Sequence, residues 1–163
     1  EGVGRARIIP LWDGPMTVKA VIIDKSGHGA AAGVVANVQE YVDPGASGMG
    51  EGAAAIGQFV TVVAAEDVSI NVSVSVIKKA EATYSGIQEE LTEALEEYLK
   101  ELALETWSDD IQVRYNRISA IITDLPSVVD HENLLVNGGV DNIAFTVEQV
   151  PILGEVTVNG DIL

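Results

Sequence analysis

The clearest periodic signal in the chain runs from Val68 to Val76. Val68, Ile70, Val72, Val74 and Val76 alternate with Ser69, Asn71, Ser73 and Ser75, so a strand there has one apolar and one wet face. Burial on one side favours antiparallel or mixed pairing over a fully buried parallel sheet. Another Val/Ile-rich strand is predicted over Thr17–Asp24, after the Asp13-Gly14-Pro15 turn and before Asp24-Lys25-Ser26-Gly27. A return strand spans Phe59–Ala64. Helical spacing holds from about Ala30 to Val42, with Val34, Val38 and Tyr41 on one face. Pro44 cannot continue that helix, and Gly45 relaxes its exit.

A longer helix starts at Ser85, with Gln88 as capping-box partner. Its buried face is predicted to carry Ile87, Leu91, Leu95, Tyr98 and Leu102, while Glu89, Glu90, Glu93, Glu96, Glu97 and Glu101 fill the solvent side. A shorter helix is predicted over Arg114–Leu125, with Ile118, Ile121, Ile122 and Leu125 inward and a stop before Pro126. The remainder reads as short strands near Asn133–Val136, Asn142–Val147 and Glu155–Val158, divided by Asn137-Gly138-Gly139 and other turns.

These elements predict an α+β fold of two small two-layer modules, each an antiparallel or mixed sheet covered by an amphipathic helix. The modules are expected at residues 1–66 and 67–163. Val38-Gln39-Glu40-Tyr41-Val42 is echoed 57 residues later by Leu95-Glu96-Glu97-Tyr98-Leu99, and Val34 corresponds to Leu91. An internal duplication and the ordinary likeness of two amphipathic helices both account for this echo.

The glycine-rich segment after Tyr41, VDPGASGMGEGAAAIGQF, follows a helix and precedes a strand. A phosphate-cradling loop needs the reverse order, because its anion rests on the amino end of the following helix. The segment therefore reads as a scaffold connection.

Composition sharpens this picture. Hydrophobic residues make up 47% and charged residues 21% of the 163, which suits a packed core and not a disordered chain. No apolar run reaches the roughly 18 to 20 residues that span a bilayer. Without cysteine, disulfides, thiolate nucleophiles and cysteine-based zinc sites are excluded. The amino terminus, Glu1-Gly2-Val3-Gly4, has neither an initiator Met nor a signal-peptide pattern and reads as part of a longer protein.

The net charge of −16 is unevenly spread. Residues 1–79 carry six Lys or Arg against eight Asp or Glu, a net of −2; residues 80–163 carry three against seventeen, a net of −14. So acidic a surface repels nucleic acid and anionic membranes. It serves either as a solvated face or as a contact for a basic protein.

Glu89, Glu93, Glu96 and Glu97 share one helix surface, but bundle metal sites need inward carboxylates, commonly with a Glu-x-x-His partner. Asp124, Asp130, His131 and Glu132 form a polar cluster to which Ser119 or Ser127 could add a nucleophile. No G-x-S-x-G elbow or oxyanion hole marks it, so a polar turn is expected. His28 sits in a Ser-Gly-His-Gly loop, and Asp141 and Asp161 lack calcium-loop spacing. Arg114 and Arg117, around Tyr115, are too few in an acidic half for phosphate binding; pairing with local acids or a neighbouring subunit is expected. Trp12 and Trp107 fit either a core edge or an interface anchor. No catalytic, cofactor-binding or metal-ligating residue is assigned.

Several segments resemble the phage Baseplate J-like family, of the prophage and Mu-like type. They begin with Arg7-Ile8-Ile9-Pro10-Leu11-Trp12-Asp13-Gly14-Pro15, then Thr17-Val18-Lys19-Ala20-Val21-Ile22-Ile23-Asp24. Gly50 and Gly52 bracket Glu51, and Ala55-Ile56-Gly57 stands where the family commonly has Ala-Pro-Ile-Gly. Tyr98-Leu99, Val113-Arg114-Tyr115 with Ile118, Asn133-Leu134 and Asn137-Gly138 continue the likeness in order. The stretch Val150-Pro151-Ile152-Leu153-Gly154-Glu155-Val156-Thr157-Val158 resembles the family's terminal strand.

The resemblance covers nearly the whole chain and implies the middle and carboxyl parts of a contractile-tail baseplate wedge protein. It implies a non-enzymatic structural role in the virion, assembled in the bacterial cytoplasm, with other baseplate and tail proteins as partners and self-association in a ring. No cofactor, nucleic acid, membrane insertion or small-molecule substrate is expected. The alternatives are an acidic adaptor for a basic protein and a hydrolase built on Asp130-His131-Glu132.

Overall fold

A computed structural model describes residues 2–107 and 110–160. The chain divides into two compact units. The first holds residues up to Asp67 together with Val147–Val150; the second holds Val68–Thr146 and the residues from Pro151 onward.

In the first unit, β1 (Val3–Pro10) pairs antiparallel with β2 (Thr17–Asp24), and β2 pairs parallel with β3 (Phe59–Ala64). The sheet order is β1-β2-β3, and α1 (Ala32–Val42) makes the crossover between the two parallel strands. Strand β1 goes beyond the expected elements. Its alternation puts Arg5, Arg7 and Ile9 on the more protected side and Ala6, Ile8 and Pro10 outside, so a hydrophobic-pattern reading passes over it.

The unit's core is built of the aliphatic residues Ala20, Ile22, Ala30, Val60 and Val62, with Val34, Val35, Val38 and Val42 of α1 packed against it. Tyr41, expected on that face, is instead 74% exposed. The reason is angular. At about 100° per residue, Val35, Val38 and Val42 centre the packing face nearly a quarter-turn from Tyr41.

Strand β4 (Glu66–Lys78) opens the second sheet, ordered β6-β4-β8 with β6 (Val128–Val136) and β8 (Gln149–Asn159). The predicted alternation of β4 holds in that Ile70, Val72, Val74 and Val76 are buried, but Ser75 is buried with them. Strand β6 runs antiparallel to β4. The Glu66 amide donates to Glu148 O and the Glu155 amide to Asn71 Oδ1, so β8 advances with β4 and lies parallel to it.

In the second unit, α2 (Tyr84–Glu105) is capped by Thr83, whose hydroxyl accepts the Gly86 amide at 3.1 Å. The start therefore comes one residue before Ser85, and the cap is not the Ser85–Gln88 box. The buried stripe is Ile87, Leu91, Leu95, Leu99 and Ala103, with Tyr98 and Leu102 half-buried on its flank. Repeated four-residue steps keep these five side chains on one face, each full burial stabilising by roughly 1.5–3 kcal/mol for the larger ones.

Helix α3 (Tyr115–Asp124) buries Ile118 and Ile122, and Leu125 beyond its end is also buried; Ile121 is half-buried. A two-residue strand β5 (Gln112–Val113) pairs with β7 (Ile143–Ala144). The chain thus forms an α+β fold with mixed and antiparallel sheets, as the sequence predicts.

Candidate functional site

The glycine segment of the first unit is organised by one buried acid. Asp43, 1% exposed, follows α1 and precedes the Pro44–Ala46 turn of 3-10 helix. Its Oδ1 accepts the Gly48 amide and its Oδ2 accepts the Val60 amide, both at 3.0 Å, and Ser47 Oγ lies 3.5 Å from Oδ1. The Val60 amide is the largest cause holding this carboxyl below its ordinary value, against an upward push from desolvation; Gly48 and Ser47 add to the lowering. The loop amide of Gly48 and the β3 amide of Val60 thus face an anion supplied by the chain itself.

Gln39 completes this arrangement. Its Nε2 donates to Val60 O at 2.9 Å and to Asp43 O at 2.6 Å, and its Oε1 accepts the Val62 amide at 2.8 Å. The primary amide stands where a neighbouring strand's peptide would stand, so the outer edge of β3 is closed at Val60 and Val62. The loop then folds back over the helix end, with the Ala53 and Ala54 amides donating to Tyr41 O and Val42 O. Gly52 passes there because a Cβ would lie 2.4 Å from Val42 O. Asp43 reads in the sequence only as the close of α1, before Pro44 and Gly45, and Gln39 only as one position of that helix. The available signals were a polar residue on the inward side of α1 and an Asp immediately before Pro.

The β2–α1 connection carries a second acid clamp. Asp24 Oδ1 accepts the Ser26 and His28 amides, while Asp67 Oδ1 accepts the Gly29 amide at 2.7 Å and its Oδ2 lies 3.4 Å from His28 Nδ1. His28 is therefore tied to the start of β4, beyond the simple exposed turn.

Asp130, His131 and Glu132 do not form a turn; they lie within β6, opposite Ile77, Val76 and Ser75. The ladder shifts register beyond this point, where Asn133 adopts φ of 52°, and that irregularity hides the strand's period from a sequence reading. The fold does bring Ser119 to His131, with Oγ 3.0 Å from Nε2, while Thr123 Oγ1 lies 3.4 Å from Nδ1.

A hydrolytic triad needs a carboxylate at that second nitrogen. Asp130 instead accepts the backbone amide of His131. Thr123 spends its hydroxyl proton on Ser119 O, so it can only accept from Nδ1–H, leaving Nε2 to accept from Ser119. This set fastens α3 to β6. Ser127 is elsewhere, donating to Glu90 Oε1 at 2.7 Å, and Glu90 is half-buried rather than on the solvent face. Asp124 and Glu132 are exposed.

Glu89, Glu93, Glu96, Glu97 and Glu101 are exposed along α2, and no group of three or more His or acidic residues placed to hold a metal occurs among the described residues. An open depression of about 500 Å³ runs along the first turns of α2, lined by Tyr84, Ser85, Gln88, Glu89, Thr92 and Glu93. It holds none of the Asp130 cluster.

Arg114 and Arg117 are exposed beside the Tyr98 phenol, which burial pushes up against the opposing pull of both arginines; no ion pair joins either to an acid among the described residues. Asp141 is exposed, and Asp161 lies outside the described residues. The two tryptophans separate: Trp107 is buried, whereas Trp12 sits at the β1–β2 turn with Lys19 Nζ 4.2 Å from its ring centroid.

Asn137, in the predicted Asn-Gly turn, reaches β4. Its Oδ1 accepts the Asn71 amide at 2.7 Å and its Nδ2 donates to Ser69 O, while the turn closes between Val136 and Gly139. Asp24, Gln39, Asp43, Asp67 and Asn137 thus all spend their side chains on the chain's own backbone. Residues 1–64 match the Baseplate J-like central domain, and residues 70–159 match the Baseplate J-like protein C-terminal domain.

The chain belongs to the Baseplate J-like family.

Two relatives from Bacillus subtilis (strain 168) are similar to it along nearly its whole length. The phage-like element PBSX protein XkdT is 33% identical over 97% of this chain and 44% of that protein. The protein YqbT is 31% identical over the same shares. The chain thus spans less than half the length of these curated relatives. Among solved structures, a chain in the cryo-EM structure of the anti-feeding prophage baseplate, 6-fold symmetrised, shares the fold with a TM-score of 0.66. That likeness covers 94% of this chain and 34% of the other at 12% identity. No helix of the described residues is long and apolar enough to cross a membrane.

Proposed function

We propose that this chain is a structural component of the baseplate of a contractile phage tail or phage-like particle, packed into the wedge ring against other baseplate and tail proteins and against copies of itself. The observation that carries the reading is the succession of two Baseplate J-like domains, in order, along the chain. In this reading the first module, 1–66, and the second, 67–163, are successive building blocks of one subunit. The protein has no catalytic residues and takes no cofactor, nucleic acid, membrane or small-molecule substrate. It resides in the virion after assembly in the bacterial cytoplasm.

Its surface chemistry supports that role. Ring subunits need self-complementary or mutually complementary faces rather than a reactive cleft. The first unit exposes large apolar side chains, and α2 of the second exposes a row of glutamates suited to a basic neighbour. The test is electron microscopy of purified particles gold-labelled with an antibody to this chain. Label at the baseplate end of the tail is expected. Label confined to particle-free fractions would contradict the proposal.

A further inference from the structure

The first unit carries a concentration of apolar side chains that its own core does not use. Leu11, Trp12 and Met16 belong to the β1–β2 turn, and Met49, Ile56 and Phe59 to the glycine segment and the start of β3; all six are between 40% and 81% exposed. The two segments meet. The Phe59 amide donates to Met16 O at 2.9 Å, the Gly57 amide donates to Gly48 O at 2.8 Å, and Met16 Cε lies 3.5 Å from where a Gly57 Cβ would stand. Gly48, with φ of 66°, lies against the Phe59 ring, and Gly50 lies against Ile56.

Leu11 and Met16 adopt left-handed backbone, with φ of 56° and 65°, a conformation that L side chains seldom take. Thr17 holds the turn there, its hydroxyl donating to Gly14 O and accepting the Asp13 amide. A strained turn that keeps two large apolar side chains in solvent is a reason to look for what covers them.

We propose that this apolar end of the first unit is the surface on which a second copy of the chain docks. Area supports the choice. Six side chains of roughly 150–250 Å² each, exposed to this degree, leave on the order of 500–900 Å². A two-fold pairing of the patch with itself would remove about 1,000–1,800 Å², the size of a specific interface.

Charge supports it too. The segments 11–17 and 46–59 contain only two charged residues, Asp13 and Glu51, and the nearby Lys19 is paired with Glu148 at 2.7 Å. A patch with so little charge is where two copies of a chain of net charge −16 can meet with least repulsion. The inference rests on the baseplate reading and names the surface for its self-association.

Sedimentation velocity across a concentration series tests it, at about 0.02 and about 0.5 M salt. A reversible dimer is expected, tighter at high salt because screening removes the repulsion between acidic copies. Met16→Asp and Ile56→Asp should each weaken it by about tenfold or more. Both positions are exposed, and Asp tolerates the left-handed backbone at residue 16, so each variant should melt at the wild-type temperature. Glu93→Gln on α2 should leave the dimer unchanged. A monomer at both salt concentrations, a dimer that weakens with salt, or one indifferent to both Asp substitutions overturns the docking surface. Gold label at the baseplate would still stand in those cases, so failure of the surface is distinguishable from failure of the functional reading.

Discussion

The two units solve the same packing problem differently. In each three-stranded sheet a central strand lies between one antiparallel and one parallel neighbour and leads on to a helix. Helix α2, twenty-two residues long, buries five side chains, Ile87, Leu91, Leu95, Leu99 and Ala103. Helix α1, half that length, buries none completely and packs half-buried valines on the aliphatic core of its sheet. Its fastening is polar: Gln39 and Asp43 bond the backbone of β3 and the glycine loop. A long stripe can hold a helix by apolar area alone, whereas a short helix on a small sheet gains definition from directional bonds that fix one register.

The largest break in this comparison is expected in the second unit. Leu95→Ala should cost about 2–5 kcal/mol in urea unfolding, by lost transfer energy plus the residual cavity. Gln39→Ala in the first unit should cost about 1–3 kcal/mol, because it frees Val60 O and the Val62 amide near the sheet edge. Hydrogen exchange should show the loss at β3, with faster exchange at Val62 in particular. If Gln39→Ala instead leaves exchange at β3 unchanged, the polar clamp is incidental to the unit's stability.

Asp43 sharpens the contrast through pH. Its folded pKa is lowered, so its contribution is complete above the ordinary value of 3.8 and fades as pH falls through the lower folded value. Asp43→Asn should therefore be less stable than wild type at neutral pH, and the two melting curves should converge as the pH falls below 3.8. Divergence on acidification would remove Asp43 as the clamp. The smallest effect belongs to Tyr41→Ala, expected within about 0.5 kcal/mol because the side chain is largely in solvent.

Much of the architecture is legible from apolar period alone. The alternation from Val68 to Val76, the extents of β2 and β3, and three of the five buried positions of α2 follow from it. What escapes are elements whose residues break the period for polar reasons. Strand β1 turns Arg5 and Arg7 toward its protected side, and β6 passes through Asp130-His131-Glu132 before the irregularity at Asn133.

The matching tyrosines of the sequence echo also separate in space. Tyr41 is in solvent, while Tyr98 is half-buried with its hydroxyl 3.5 Å from the Arg114 amide. The side-chain-to-backbone bonds of Gln39, Asp43 and Asn137 were illegible because one amide or carboxylate leaves no periodic trace. The apolar end was equally hidden, since Leu11–Met16 and Met49–Phe59 are separated in sequence and meet only through the sheet register.

Under the proposed function, this chain works through docking faces and not through chemistry. The most direct test is complementation in a producing strain lacking the gene, scored by counting complete tails in the electron microscope. A Ser119→Ala, His131→Ala variant that remains folded should restore complete particles to the wild-type level, whereas Met16→Asp with Ile56→Asp should yield tails without intact baseplates. Normal assembly from the apolar-end variant, together with particles made inactive by the folded Ser119–His131 variant, would contradict it.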